Sequence, residues 1–152
     1  MQTLEQQLIE LELFIPFMEK ENFDVSKVSV AWQIDHSLRV VNGIIEALED
    51  SDPNLFQQRA NLWRFLFFTL NFLPRGKGKS PKRVMPDYHI SESDLKRRLG
   101  FAFENILSFK KIPKKAHFRH PMFGTLTREQ SSHFIQIHTE HHLKIIRDIL
   151  KP

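Results

Sequence analysis

FIQIHTEHHLKII, residues 134–146, is the stretch from which the fold is read. At about 100° per residue, the turn of an α-helix, Phe134, Ile135, Ile137, Ile145, Ile146, Ile149 and Leu150 average to one direction. His138 and His142 lie on either side of that direction, each within about 20°, whereas His141 lies about 80° away. The segment is therefore an amphipathic helix with two imidazoles at the centre of its buried face. A buried imidazole needs partners for both ring nitrogens. A metal ion supplies one, and histidines four residues apart on a helix are the geometry that chelates it. The alternative is a structural pair hydrogen-bonded to polar groups of neighbouring helices.

Working outward, the same periodicity predicts four more helices. Leu4, Leu8, Leu11, Phe14, Ile15 and Met18 recur at spacings of three and four, which predicts a helix over about 3–21. A second is expected after Ser26, a plausible N-cap, to about residue 50. A third is expected from Asp52 as N-cap and Pro53 at its first position to about 72. It is apolar on more than one face, as in a helix buried between neighbours or in a dimer interface. A fourth is expected over about 92–109, with Ser91 and Asp94 resembling a capping box. Thr127 with Gln130 forms a T-x-x-Q box that opens the last helix, which should run to about 150. No period-2 alternation bounded by turn residues is evident. The expectation is an all-α chain: a four- to five-helix bundle forming one domain over residues 1–152.

The chain has 152 residues and is 41% hydrophobic, enough for a core without staples. It has no cysteine, which excludes a disulfide framework, a thiolate nucleophile and a Cys-based zinc site. The N-terminal MQTLEQQLIELELF has acids where a signal peptide has bases, and the apolar stretch Leu62–Leu73 is too short to span a bilayer. The expected location is cytoplasmic, with no membrane.

Charge is uneven. Residues 1–73 carry five Lys/Arg against eleven Asp/Glu, and residues 74–152 carry seventeen against seven. The basic loop RGKGKSPKR, residues 75–83, with Lys110, Lys111, Lys114 and Lys115 is a candidate phosphate-binding surface. No aromatic residues interleave with these bases and no recognition motif accompanies them, so nucleic acid is not the expected partner.

Two histidines make a weak site, and a third ligand has to come from another helix. His36, in SVAWQIDHSLRVV, is the best candidate. It shares a face with Trp32, Val40, Gly43 and Ala47, away from its helix's strongest apolar direction, so a surface histidine is the alternative. His89, His117 and His120 fall in loops, and His133 lies off the buried face of the last helix. HPMFG, residues 120–124, reads as a turn that sets Phe123 on the core. Asp35 and Glu140 neighbour the histidines in sequence but point away on a helix. They read as solvated or supporting residues, and no catalytic base, nucleophile pair or phosphate-cradling glycine loop is recognisable.

A single histidine early in the second helix, followed by HFRHPMFGTLTREQ and HTEHHLK, resembles the DinB superfamily, and within it a branch of unknown function. The resemblance covers roughly residues 24–147. It implies a helix bundle with His36, His138 and His142 around one divalent ion, with zinc, nickel or iron as the cofactor. It also implies a metal-dependent hydrolase or thiol transferase acting on an unknown small molecule, and a homodimer in many members. The family pattern often continues HHxRQ, whereas Ile145 stands here in the place of the Gln. A non-catalytic small-molecule-binding or dimerising scaffold is the alternative function.

Overall fold

Chain entry is set by Thr3, whose hydroxyl accepts from the Gln6 N–H while the Gln6 side chain returns to the Thr3 N–H. That box opens α1, Leu4–Phe14. The computed structural model describes residues 2–57, 60–71, 84–86 and 89–151. α1 stops short of the expected residue 21 because Pro16 has no N–H to continue the ladder; a 3-10 turn, Ile15–Phe17, follows. α2 is Val30–Glu49, capped by Ser29 rather than Ser26. Asp52 and Pro53 do form a cap and first position, but of a 3-10 turn, Pro53–Leu55. α3 begins only at Asn61, whose side chain caps Leu62–Leu70. α4 is Glu92–Phe109, capped by Ser91 as expected, and α5 is Arg128–Ile149, opened by the Thr127–Gln130 box.

The all-α expectation needs one correction. β1, His117–His120, pairs antiparallel with β2, Gly124–Thr127, in register His117 to Thr127 and His120 to Gly124. Four residues per strand are too few to display the alternation that marks a strand in sequence. The turn between them is built by chemistry instead. Nδ1 of His120 accepts from the N–H groups of Met122 and Phe123, and Gly124 takes φ 69°, which an L side chain rarely adopts. Phe123 lands on the core, 3% exposed.

α2 packs against α4 and α5, and α1 against the same two, so these four helices make the bundle. Its centre holds Leu8, Leu11, Ile34, Leu38, Ile45, Leu95, Ile135 and Leu143, all fully buried. Each contributes roughly 1.5–3 kcal/mol of apolar burial. α3 lies outside the bundle, against the hairpin. Its one charge, Arg64, turns inward and Nη1 donates to the Thr125 carbonyl at 3.0 Å. Phe67 also turns inward, stacking on Phe123 with ring centres 4.5 Å apart. Leu62, Trp63, Phe65 and Leu70 face outward, so α3 is not the helix buried between neighbours that its composition suggested. No described helix is long and apolar enough to cross a membrane.

Candidate metal centre

α5 presents His138 and His142 one turn apart, with ring centres 4.5 Å from each other. α2 brings His36 against both, at 5.2 Å from His138 and 4.9 Å from His142. One ring nitrogen from each residue lies within 4.8 Å of the other two. All three rings are buried, at 2%, 7% and 7% exposure. His36 points inward because α2 is covered on more than one side, by α4, α5 and β1, so its second face is also interior.

The outer nitrogens decide which tautomer each ring adopts. Nδ1 of His36 lies 2.7 Å from the Val84 carbonyl, which can only accept, so the proton is on Nδ1 and Nε2 keeps its lone pair. Nδ1 of His142 lies 2.5 Å from Oε1 of Gln33. The Gln33 amide is oriented in turn, since its Nε2 donates to Ser26 Oγ at 3.0 Å. His142 therefore also holds a lone pair on Nε2. That atom faces Nε2 of His138 at 3.3 Å. If His138 carries its proton on Nε2, it donates to His142 but leaves Nδ1 an unpaired buried acceptor. If the proton is on Nδ1, two lone pairs oppose each other. Nδ1 of His138 has no partner among the described residues in either case. One unsatisfied buried nitrogen costs about 1–3 kcal/mol.

A cation at the shared point would satisfy three lone pairs at once. The fit to zinc is close along one edge: two nitrogens bound at 2.0–2.1 Å to a tetrahedral ion lie about 3.3 Å apart, the separation of the two Nε2 atoms. Two such bonds span at most about 4.2 Å, so a pair at the outer limit of 4.8 Å closes slightly on a shared ion.

Burial is the main reason that all three histidines titrate below the ordinary imidazole range; for His138 and His142 the neighbouring histidines add to it. For His36 the Val84 carbonyl and the Asp35 charge partly oppose the shift. Neutral imidazole is the form that ligates, so these rings need shed no proton at pH 7. Trp32 stacks on His36 at 4.8 Å, and Phe134 leans on His138 at 5.6 Å. The triad thus sits between two aromatic walls.

The other histidines do different work. His120 is half-buried, stacked on Phe123 at 4.5 Å and against Phe134 at 4.8 Å. Burial pushes it down to about 4. With Nδ1 accepting from the turn, its proton is on Nε2. It lies outside the three-nitrogen cluster, though near enough to His138 for its charge to be felt there. His117 packs on Phe56, His133 on Phe68, and His141 edge-on against His142. His89 is exposed.

Asp35, read from its position as solvated or supporting, is not solvated. It is 1% exposed and bound to Arg39 at 2.6 Å and Arg98 at 2.7 Å, tying α2 to α4. Glu140 pairs with Arg147 at 2.8 Å, and Arg147 also holds Glu10. Of the basic loop 75–83, every residue lies outside the described residues; Lys110, Lys111, Lys114 and Lys115 are exposed. Sequence reasoning missed Gln33 and Val84. Gln33 was findable as the polar residue three before His36 on α2. Val84 was not, because the atom used is a main-chain carbonyl that any residue could supply.

The family described as "Protein of unknown function (DUF1569)" matches residues 21–149. No curated protein and no solved structure matches the chain. The match overturns the DinB resemblance: HFRHPMFGTLTREQ and HTEHHLK lie within the span of DUF1569, and no DinB family is found. The roles inferred through that resemblance go with it, and what is left stands on the residues' own geometry.

Proposed function

Because the chain belongs to DUF1569, a family of unknown function, we propose from its geometry that His36, His138 and His142 hold one divalent metal ion and that the site is that of a metal-dependent hydrolase. One observation carries the reading. Two buried Nε2 atoms meet at 3.3 Å, with the far nitrogen of His142 tied to Gln33 and that of His36 to Val84. Proteins do not leave such lone pairs opposed without a cation or proton between them. Three histidine ligands with a position left open are the arrangement of a catalytic zinc site rather than a closed structural one. Zinc suits the neutral imidazole set and the 3.3 Å edge; nickel and iron share the preference for imidazole. Such an ion supplies Lewis-acid polarisation and lowers the pKa of water toward neutrality.

The chain's own residues set the terms. Gln33 and the Val84 carbonyl fix the tautomers of His142 and His36, as outer hydrogen bonds do for ligating imidazoles. Trp32 and Phe134 exclude water from two flanks. His120, in the hairpin, packs on the Phe134 wall and is near enough to influence His138.

A second reading has an observation in its favour. Of the two carboxylates next to the triad in sequence, Asp35 is spent on Arg39 and Arg98 and Glu140 on Arg147. Neither serves as a general base, which favours a metal-bearing site that binds a small molecule without turning it over.

The test is elemental analysis by ICP-MS of untagged protein purified without chelator, beside a His138→Ala/His142→Ala variant. We expect about one ion per chain in the wild type, as a mononuclear three-histidine site requires, and none in the variant. Substoichiometric metal after reconstitution with zinc, nickel and iron would end the metal reading. Metal present, with ester and amide hydrolysis no faster than in the double variant, would move the conclusion to the binding site.

A further inference from the structure

α3 reverses the usual polarity of a helix on a protein surface: its single charge is buried and its outer face is apolar. Leu62, Trp63, Phe65, Leu66 and Leu70 are 39% to 70% exposed, and Met122 at the hairpin tip is 48% exposed. The Asn61 amide donates to the Met122 carbonyl at 3.1 Å, so the tip continues the helix face. We propose that this face is the surface through which two copies of the chain associate.

Size is the first argument. Taking about 200 Å² as the full surface of a large apolar side chain, the six residues expose on the order of 700 Å². The largest apolar patch on an ordinary monomer is about 300–600 Å², whereas a stable interface covers about 800 Å² per partner. Composition is the second. Trp and Phe at the centre of a patch are the residues that anchor interfaces. Among the described residues of α3 no charged side chain stands on the face, since Arg64 is turned inward to Thr125. An uncharged apolar patch is complementary to itself, which a two-fold interface requires. The third argument is the helix itself. Nine residues are too few for a helix to be stable alone, and among the described residues only the side of Arg64 and Phe67 is packed. A partner copy would hold the other.

The association reaches toward the candidate metal centre without depending on it. Phe67, on the inner side of α3, packs on Phe123 and Phe134, and Phe134 packs on His138. A partner pressed on α3 therefore braces one aromatic wall of the triad.

Sedimentation velocity on the full chain tests this. At about 10 μM, a concentration at which interfaces of standard size are populated, the wild type should sediment as a dimer. Trp63→Lys/Phe65→Glu should sediment as a monomer with unchanged far-ultraviolet circular dichroism, its dissociation constant raised at least about 100-fold. Leu70→Lys, on the same face, should weaken association in the same direction. Leu107→Lys, at an exposed position on α4 away from the face, should remain dimeric. A monomeric wild type, or a double variant that stays dimeric, overturns the proposal. So does a monomeric wild type that co-sediments with phosphatidylglycerol vesicles, which would give the face to lipid.

Discussion

The triad between α2 and α5 and the outer face of α3 break the same rule in opposite senses. At the triad, three imidazoles are buried among aliphatic and aromatic side chains. On α3, Trp63, Phe65 and three leucines face solvent while an arginine is buried. In sequence α5 reads as an amphipathic helix and α3 as a helix apolar on more than one face. The difference is what waits on the other side. His142 finds Gln33 and His36 finds Val84, so their outer nitrogens are satisfied inside, while the Nε2 atoms of His142 and His138 face each other. The outward side chains of α3 are exposed among the described residues. A misplaced polar group in a core points to a ligand, and a misplaced apolar group on a surface points to a partner, because each is the cheapest way to remove the cost.

The largest expected effect separates the two regions outright. Zinc at 1,000 times its dissociation constant should stabilise the wild type by about 4 kcal/mol, seen as a higher melting temperature. The His138→Ala/His142→Ala variant should show no zinc-dependent shift, and substitutions on the outer face of α3 should leave the shift intact. A zinc response retained in the double variant would place the ion elsewhere.

Next comes a contrast within α3. Phe67→Ala removes a buried, stacked ring and should cost about 3 kcal/mol in chemical denaturation at any protein concentration. Phe65→Ala should cost less than about 0.5 kcal/mol at dilution and more as concentration rises. Equal costs at all concentrations would mean that the two faces of the helix do not differ as described.

Gln33→Leu is a smaller perturbation of the triad. It removes the acceptor that orients His142 without touching a proposed ligand. Zinc affinity measured by competition with a chromophoric chelator should fall 10- to 100-fold, about 1.4–2.7 kcal/mol. No change would mean that the Gln33 contact does not orient the ring.

The smallest effect concerns His120. Its folded pKa is about 4, below the ordinary 6.5, so the unfolded chain takes up this proton first as pH falls. The stability it contributes is complete above pH 6.5 and is lost between there and about 4. His120→Asn keeps an acceptor for the N–H groups of Met122 and Phe123 but does not titrate. Between pH 7 and 5 the variant should lose about 1 kcal/mol less stability than the wild type, after allowance for partial exposure. Parallel pH profiles would show that His120 is not held neutral.

Much of the candidate site was legible because it lies on one helix. The i, i+4 spacing of His138 and His142, and their place on the apolar face of α5, follow from a period that local geometry imposes. The cap pairs Thr127–Gln130 and Ser91–Asp94 were readable for the same reason. Of the two readings left open for Asp35, solvated or supporting, the solvated one fails, because the helical period places it away from the triad but says nothing of Arg98, sixty-three positions on. The hairpin was missed because its turn depends on His120 and Gly124 rather than on any strand pattern. The longer α1 was expected because periodicity continues through Pro16, where main-chain hydrogen bonding does not, and the longer α3 because Asp52 and Pro53 look like a helix start but open only a 3-10 turn.

By itself, the sequence determined the bundle's helices and the inward direction of two histidines, because hydrophobic period and capping act over a turn or two of chain. Only the tertiary structure decided that His36 completes the triad, that Asp35 is buried, and that α3 exposes its apolar face. Each of those depends on which distant element covers a given helix face, and burial of a side chain is a property of both surfaces that meet there.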